Sequence, residues 1–375
     1  MKNERILISG AGIAGITAAY WLARNGFRPT VVERADTLRK GGQGVDIRDT
    51  AIEVAEGMGI MPRVRAAATD VIGMRFVDAA GNQTAGVDMR KARERNASRE
   101  VEIMRGDLVG ILHDHTADQV EYRFGDSIRA LEQDAHGVTV TFEHAPAERF
   151  DLVIGADGLH SQVRRLAFGP EEALTRHMDH YFAFGNADPA LGPDRWVTIH
   201  NTPGTLTGIY RSGNHPDAKS YFMFRSPRLP VDLRDPATAR TLLSDRFADS
   251  TAWNVRPLLD AALADPDLYF DSLAQVRMRD WSTGRIALIG DAAHCASPVS
   301  GAGAELALVS AYRMATSLVD ADGEHTTAFA RYHDAHRPLV TRKQKLGPNL
   351  RLMIPKTRPG IAFRNTVTRA AALVG

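Results

Sequence analysis

The residues of this chain that are suited to bind a phosphate-containing ligand are glycines and acids at the ends of apolar strands. Three such places are residues 10–15 (Gly-Ala-Gly-Ile-Ala-Gly), Asp157-Gly158 and Gly290-Asp291. Each follows a short apolar run typical of a buried parallel strand. Ligands of open parallel sheets lie beyond the carboxyl ends of the strands. The three segments therefore predict one shared ligand site.

The first motif has the spacing of a dinucleotide-binding turn. Gly10 permits the tight turn, Gly12 lets backbone N–H groups approach a pyrophosphate, and Gly15 lets the following helix lie close to the sheet. The N-terminal end of that helix carries partial positive charge, which favours phosphate. Glu33 ends the next strand 18 positions after Gly15 (33 − 15), where an acid can accept hydrogen bonds from a ribose. This motif alone leaves FAD and NAD(P) as alternatives.

The later motifs favour FAD. Asp291 follows the apolar segment 284–290 and is placed to reach a polyol such as the ribityl chain of a flavin. The glycine-punctuated loop 292–304 then opens a long helix, whose N-terminal end would stabilise negative charge on a reduced flavin ring. An NAD dehydrogenase has no need of this second helix end.

At these residues the chain resembles a known family, the FAD-dependent aromatic-ring monooxygenases with the p-hydroxybenzoate hydroxylase fold. The short members related to tetracycline-inactivating monooxygenases are the most similar. The resemblance implies an α/β fold, in which a Rossmann-like FAD-binding domain with a parallel sheet is interleaved with an antiparallel-sheet substrate domain and followed by C-terminal helices. We expect residues 1–70, 101–178 and 272–330 to form the FAD-binding domain, residues 71–100 and 179–271 the substrate-binding domain, and residues 331–375 a C-terminal helical segment.

The resemblance also assigns residues to the cofactors. The implied FAD contacts are Gly10, Gly12, Ala14, Gly15, Glu33, Arg34, Asp46, Arg105, Asp157, Gly158, Gly290, Asp291, Pro298, Gly301 and Gly303. Arg39 occupies the position of an NADPH-contacting arginine, although a solvated surface role fits the charged stretch 34–40 equally well. Arg105 has the alternative of a surface ion pair with Glu102 or Asp107. No catalytic side chain is predicted.

The reaction implied by the resemblance is a hydroxylation. NADPH, or NADH, would reduce FAD, O2 would add at the flavin C4a carbon, and the hydroperoxyflavin would hydroxylate an aromatic or polycyclic small molecule similar to a polyketide or an antibiotic. Two alternatives share the same FAD site. One is a flavin-dependent reductase or dehydrogenase of a hydrophobic small molecule, and the other is a flavin-binding protein without turnover. Oxygen insertion coupled to NADPH consumption distinguishes the monooxygenase from both.

Two positions depart from the family pattern, because Glu305 and Ser310 stand where Asn and Asp are usual. An ionised Glu305 about 5 Å from a reduced flavin would cost roughly 3 kcal/mol at an effective dielectric near 20. The helix end returns at most about 2 kcal/mol. We therefore expect Glu305 to be turned away from the flavin, paired with a basic residue, or protonated.

The substrate layer is predicted in residues 180–230, whose alternating segments are typical of an antiparallel sheet. Alternation places Phe222 and Phe224 on one face and Tyr221 and Met223 on the other, without indicating which face lines the pocket. The candidate substrate contacts are Thr198, His200, Arg211, Phe222 and Phe224. Core packing or solvent exposure is the alternative for each of them.

The composition is ordinary for a globular protein, with 375 residues, 44% hydrophobic and 24% charged residues and a net charge of +1. No apolar run is long enough to span a membrane, and the chain enters its first strand at once, so we expect no export signal and a cytoplasmic location. A single cysteine, Cys295, excludes an internal disulfide, and no metal site is predicted. The basic segment 331–375 has no aromatic residues for base stacking beyond Tyr332 and Phe363, so nucleic acid is not an expected partner.

Overall fold

The computed structural model describes residues 2–38, 41–90, 99–231, 233, 235–347 and 349–374. The chain divides into two compact units, each built from three separate segments. Unit 1 comprises Met1–Ala68, Glu100–Arg176 and Ala274–Lys345, and unit 2 comprises Thr69–Arg99, His177–Leu273 and Leu346–Gly375.

The regular elements follow in chain order. The strands are β1 (Arg5–Ser9), β2 (Arg28–Glu33), β3 (Gly44–Ile47), β4 (Gly73–Val77), β5 (Gln83–Asp88), β6 (Val101–Met104), β7 (Glu121–Phe124), β8 (Ile128–Gln133), β9 (Val138–Phe142), β10 (Glu148–Phe150), β11 (Leu152–Gly155), β12 (Thr175–Ala187), β13 (Trp196–Thr202), β14 (Thr205–Tyr210), β15 (Ala218–Arg225), β16 (Tyr269–Val276), β17 (Ser282–Thr283) and β18 (Ile286–Leu288). The helices are α1 (Ile13–Arg24), α2 (Thr50–Gly57), α3 (Met61–Ala66), α4 (Arg105–Thr116), α5 (Gln162–Phe168), α6 (Glu171–Leu174), α7 (Pro236–Phe247), α8 (Val255–Ala264), α9 (Asp291–His294), α10 (Gly303–Asp320), α11 (His325–Lys343), α12 (Asn349–Met353) and α13 (Arg358–Val374).

Unit 1 is organised around a six-stranded sheet in the order β17-β18-β11-β1-β2-β7. β1 pairs in parallel with both β2 and β11, β11 pairs in parallel with β18, and β2 with β7. The central strands β1, β11 and β18 are buried almost throughout, because parallel strands are covered on both faces. The carboxyl ends of β1, β11 and β18 therefore meet at one edge, and each of the three glycine motifs begins there.

Two smaller sheets complete the strands of unit 1. β3 pairs antiparallel with β6, and β10, β9 and β8 form a three-stranded sheet. β3 carries Asp46, and Arg105, the first residue of α4, directly follows β6. The β3–β6 pairing thus places two of the predicted cofactor residues on adjoining segments.

Unit 2 contains a seven-stranded sheet in the order β16-β12-β15-β14-β13-β4-β5. The pairs along β12, β15, β14 and β13 are antiparallel, and β13 pairs in parallel with β4. The face that bears Phe222 and Phe224 forms a core with α7 and α8, in which Phe222 contacts Phe247 at a ring distance of 5.0 Å. The predicted α/β class, with a parallel and an antiparallel sheet, is confirmed.

In the part of the chain that the structure describes, no helix combines the length and the apolar content needed to cross a membrane.

Candidate cofactor site in unit 1

The three glycine motifs, although up to 280 residues apart in the chain, are in contact. A Cβ added to Gly10 would lie 2.6 Å from the carbonyl oxygen of Ala156, directly before Asp157. A Cβ added to Gly290 would lie 2.8 Å from the Cβ of Ala14 in the first turn of α1. The sequence thus predicted a shared location correctly for all three turns.

The first turn leaves a helix end open towards a ligand. Gly12 is the N-cap of α1, and no side-chain cap and no first-turn acid occur there among the described residues. Four backbone N–H groups at such an end have no partner within the helix. Gly15 is required by packing, because a Cβ there would lie 1.9 Å from the Gly10 oxygen. Gly12 is not, since the nearest atom to its Cβ would be Arg105 Nη2 at 3.8 Å.

Glu33 lies at the end of β2, beside the same turn. Its Oε2 accepts a hydrogen bond from the Ala11 backbone N–H at 2.9 Å, and its Oε1 accepts one from Ala35 at 3.0 Å. These bonds hold the carboxylate next to the glycine turn, where the sequence predicted a ribose contact. Arg34, the following residue, is exposed.

Asp157 caps a helix. Its Oδ2 accepts hydrogen bonds from the backbone N–H groups of Gln162 at 2.8 Å and Val163 at 3.1 Å, and its Oδ1 accepts one from the Ser161 hydroxyl. Burial raises the pKa of the Asp157 carboxyl, although these hydrogen bonds act in the opposite direction. Gly158 has φ of +80° and open space beside its Cβ position. The second motif therefore has a structural task, which is to hold α5 in place.

Arg164 links the second and third motifs. It is fully buried, its Nη1 donates to the carbonyl oxygen of Ala292 at 2.9 Å, and its Nη2 donates to that of Leu159 at 2.5 Å. Ala292 directly follows Asp291. The guanidinium group thus fixes the backbone of the third motif against the second.

Asp291 is exposed to solvent at the residue level, and yet burial raises the pKa of its carboxyl. Neighbouring protein limits the hydration of the carboxyl although the residue as a whole is exposed. A hydrogen bond from Cys295 and the charges of Arg105 and Arg164 act in the opposite direction. The positive charges of Arg105 and Arg164 therefore act on Asp291, the first residue of α9.

Arg105 lies between the first motif and the glycine segment at residues 41–44. Its side chain would contact a Cβ on Gly42 at 3.4 Å, and its Nη2 is the nearest atom to a Cβ on Gly12. It also acts electrostatically on Asp291. Arg105 thus lies beside the turn that the resemblance assigns to FAD.

The turn before α10 is held by Arg48, the residue that follows β3. Pro298–Ser300 form a short 3-10 turn, followed by Gly301 in the left-handed region at φ of 60°. Arg48 Nη2 donates to the carbonyl oxygen of Gly301 at 2.6 Å, and Asp46 Oδ2 would lie 3.7 Å from a Cβ on Gly301. Gly303 has no atom within 4 Å of its Cβ position. As at Gly12, packing does not require a glycine at this helix start.

Glu305 is paired with a basic residue, which was one of the three outcomes expected from the sequence. It is fully buried in the first turn of α10, and Lys343 Nζ lies 2.6 Å from its Oε2. The direction of approach does not meet hydrogen-bond geometry, so the contact is an ion pair. Ser310, the other departure from the family pattern, accepts a hydrogen bond from the Gly290 N–H at 3.1 Å.

Sequence reasoning missed two glutamines that hold the loop after Asp291. Gln344 Nε2 lies within 2.8–3.2 Å of the carbonyl oxygens of Val276, His294 and Cys295. Gln275 Nε2 donates to Ala296 at 3.1 Å. No local pattern marks these glutamines, because their partners are distant in the chain or lie in irregular backbone.

Behind Asp291 lies a buried histidine pair. The His294 ring is 4.7 Å from that of His336, and its Nε2 is 3.3 Å from the Tyr332 hydroxyl. Burial, with the charge of Arg337, lowers the pKa of His294 to about 3. Burial also places the pKa of His336 well below its usual value, and His294, Arg313 and Arg337 act in the same direction. Both rings are therefore neutral near pH 7.

The candidate substrate residues of unit 2 do not form one cluster. Thr198 is buried and accepts a hydrogen bond from Arg75 at 3.0 Å, and the buried His200 has its Nδ1 3.2 Å from the Val77 oxygen. Arg211 Nη1 donates to two loop carbonyl oxygens, at 3.1 and 3.0 Å. Phe222 and Phe224 are core residues between the sheet and its helices, so we do not retain them as substrate contacts. Arg39 lies outside the described residues.

The opposite face of the same sheet carries an aromatic cluster. Phe184 lies 4.5 Å from Tyr221 and 5.1 Å from Phe182, and Tyr269 is 5.6 Å from Phe182, measured between ring centroids. Phe184 and Tyr221 are partly exposed and Tyr269 is exposed. We call Phe182, Phe184, Tyr221 and Tyr269 the aromatic face.

The residues of unit 1 fit a bound FAD. Gly12 and Gly303 leave free space at two helix starts, and neither needs to be glycine for packing. Such space lets a ligand approach the backbone N–H groups at the positive ends of α1 and α10. Asp291 lies within the electrostatic influence of Arg105, and an acid with a neighbouring cation suits a polyol and phosphates. Among the described residues, no group of His, Cys, Asp and Glu is arranged to hold a metal ion.

Comparison with known proteins agrees with this geometry. A sequence profile described as the FAD binding domain matches residues 4–342. A flavin-dependent monooxygenase of Legionella longbeachae is 40% identical over 346 residues, covering 92% of this chain and 88% of that protein. The uncharacterized protein Rv1260 of Mycobacterium tuberculosis is 41% identical over 344 residues, covering 92% of each. The crystal structure of tetracycline destructase Tet(51) matches with a TM-score of 0.86 and 35% identity, covering 100% of this chain and 98% of that one.

Proposed function

This chain belongs to the aromatic hydroxylase family of FAD-dependent monooxygenases, and on that premise we propose that it uses NAD(P)H and O2 to hydroxylate an aromatic or polycyclic small molecule. One oxygen atom would enter the substrate and the other would leave as water, with two electrons supplied by NAD(P)H. When bound, FAD supplies the chemistry that carries these electrons to O2. The protein's own residues bind, orient and exclude water.

The observation that carries the proposal is the convergence of the three glycine motifs on two open helix starts. We propose that the start of α1 binds the pyrophosphate, that Glu33 accepts hydrogen bonds from the adenosine ribose, and that Asp291 accepts them from the ribityl chain. Arg105 would neutralise phosphate charge from beside Gly12. The remaining proposed FAD contacts are Gly10, Ala14, Gly15, Arg34, Asp46, Asp157, Gly158, Gly290, Pro298, Gly301 and Gly303.

These residues differ in whether a structural role already explains their presence. Gly15 and Asp157 have packing and capping roles that explain their presence without any ligand. Gly12 and Gly303 have no such role, so they are the stronger candidates for direct approach to FAD. Asp291 belongs with them, because its residue is exposed at the carboxyl edge of the sheet, where ligands of parallel sheets lie.

For the start of α10 we propose a second role, the stabilisation of negative charge on the reduced ring. Its backbone N–H groups and helix dipole supply positive potential there. Arg48 holds the preceding turn by its bond to Gly301, so the N–H groups are fixed before the charge develops. Such preorganisation lowers the reorganisation needed during the reaction.

For the substrate we propose an extended aromatic compound bound on the aromatic face of unit 2. Offset and edge-to-face contacts with aromatic rings contribute about 0.5–1.5 kcal/mol each beyond burial of area. Phe184 contacts the other three members of the aromatic face, and both Phe184 and Tyr221 are partly exposed. A tetracycline destructase shares the fold of this chain at 35% identity, which is why we include polycyclic compounds. The proposed NADPH contact remains Arg39.

The test is substrate-stimulated NAD(P)H oxidation by the FAD-loaded protein. A panel of phenols and polycyclic polyketides would be offered, with mass detection of a product that has gained one oxygen atom. The proposal expects at least one compound both to accelerate NAD(P)H oxidation and to gain oxygen. A reduced or dehydrogenated product would instead indicate a reductase or dehydrogenase, and FAD binding without any turnover a non-catalytic flavoprotein.

A further inference from the structure

The buried carboxylate of Glu305 lies at the helix start that the proposed function places beside the flavin. Glu305 is the third residue of α10 and has no exposed surface. A buried carboxylate without compensation would oppose negative charge on a reduced ring. The structure supplies that compensation from a distant part of the chain.

Lys343, the last residue of α11, reaches this carboxylate. Its Nζ lies 2.6 Å from Glu305 Oε2 and donates a hydrogen bond to Asp49 Oδ2 at 3.0 Å. The Lys343 side chain retains 16% of its exposure, whereas that of Asp49 retains 54%. The Lys343 ammonium therefore faces one fully buried carboxylate and one hydrated carboxylate. Water stabilises the charge of Asp49, whereas the buried charge of Glu305 relies on Lys343.

Asp49 is held by an unusual backbone. It has φ of 51° and ψ of −135°, values that are costly for a residue with a side chain. The preceding residue, Arg48, binds the carbonyl oxygen of Gly301 at 2.6 Å. The Arg48-Asp49 dipeptide thus contacts both the turn before α10 and the lysine that neutralises the first turn of α10.

We propose that Lys343 is a positioning residue for the flavin, which cancels the charge of Glu305 so that the start of α10 keeps its positive potential. This inference rests on the proposed function, because it takes the start of α10 to be close to the flavin ring. It assigns to Lys343 a role in the reduction potential of the bound cofactor. A purely structural ion pair would stabilise the fold without setting that potential.

The test compares variants whose net charges at the pair differ in sign. Lys343→Met leaves Glu305 with a net charge of −1, Glu305→Gln leaves Lys343 with +1, and the double variant returns the pair to zero. The midpoint potential of the bound FAD would be measured for each by dye-coupled spectroscopic titration. Lys345→Met, which removes an exposed lysine two positions away, is the matched control.

The proposal expects shifts of opposite sign. Lys343→Met should lower the potential, Glu305→Gln should raise it, and the double variant should lie close to the original. A unit charge within about 10 Å changes such an equilibrium about tenfold at an effective dielectric near 20, which is about 30 mV for a two-electron couple. Lys345→Met should leave the potential unchanged.

Shifts of the same sign in both single variants, or an unchanged potential, would overturn the proposal. Glu305→Gln removes a buried charge and keeps the shape of the side chain, so its result decides the matter if Lys343→Met does not fold. The titration needs no substrate. Bound FAD with an unshifted potential therefore refutes only this role, whereas a protein that binds no FAD refutes the proposed function itself.

Discussion

Replacing Gly12 by alanine should separate cofactor binding from folding. Gly12 has φ of −89° and ψ of −175°, which alanine adopts freely. The atom nearest to an added Cβ is Arg105 Nη2, at 3.8 Å, which is an ordinary van der Waals contact. We expect the free energy of unfolding of the FAD-free protein to fall by about 1 kcal/mol, because alanine is a poorer N-cap than glycine.

The affinity for FAD should fall much more. The added methyl group enters the space through which the N–H groups at the start of α1 would reach the pyrophosphate. A hydrogen bond to a charged group contributes about 1.5–3 kcal/mol. The loss of one such bond weakens binding about 10- to 100-fold, since each 1.4 kcal/mol is tenfold.

The assay is a titration with FAD, followed by quenching of flavin fluorescence, together with urea unfolding of the FAD-free protein. Gly15→Ala is the first control, because its Cβ would lie 1.9 Å from the Gly10 oxygen and should destabilise the FAD-free protein itself. Gly110→Ala is the second. Gly110 lies inside α4 with no atom within 4 Å of its Cβ position, so alanine should stabilise by about 0.5–1 kcal/mol and leave the affinity unchanged.

A Gly12→Ala protein that is normally folded and binds FAD as tightly as the original would contradict a pyrophosphate site at the start of α1. The pyrophosphate would then lie elsewhere, and the open helix start would need another explanation. Equal loss of stability in Gly12→Ala and Gly15→Ala would also contradict it, because the structure assigns a packing role only to Gly15.

Three further predictions concern other parts of the molecule. Acidification from pH 7 to pH 5 should lower the free energy of unfolding by about 2 kcal/mol through His294. The pKa of His294 in the folded state, about 3, lies below its ordinary value, so only the unfolded state gains the proton in that pH range. The free energy from urea unfolding of His294→Asn should depend less on pH, and the same pH dependence as in the original protein would contradict this. Asp157→Ala should lower the unfolding free energy of the FAD-free protein by about 1–2 kcal/mol through the lost cap of α5, and urea unfolding that matches the original protein would exclude that role. Phe184→Ala should raise the substrate KM about 2- to 10-fold with little loss of stability. The core substitution Phe222→Ala should instead lower the unfolding free energy by about 3–5 kcal/mol. Similar urea-unfolding midpoints for the two variants would contradict the assignment of the sheet faces.

The glycine motifs were predictable because they are local. Strand, turn and helix are adjacent in sequence, and only glycine satisfies the close approach at Gly15. The order of the motifs then requires one sheet edge, which is where the structure places them. The sequence left Arg105 with two roles, a cofactor contact or an ion pair with Glu102 or Asp107, and its proximity to Gly12 is compatible with the first without excluding the second.

The contacts between residues distant in the chain could not be predicted from the sequence. Alternation divided Phe222 from Tyr221 correctly, but which face is covered depends on where α7 and α8 pack. The pair Lys343–Glu305 was expected only as one of three outcomes, since no periodicity connects residues on different helices. The anchoring bond from Arg48 to Gly301 left no local signal at all, because the two residues are 253 positions apart.

Oxygen insertion is tested most directly by turnover in isotopically labelled O2 with FAD-loaded protein, NAD(P)H and an accepted aromatic substrate. We expect a product that carries one labelled oxygen atom for each NAD(P)H consumed in coupled turnover. A product whose added oxygen came from water, or NAD(P)H consumption that yields only hydrogen peroxide with every substrate tried, would contradict it.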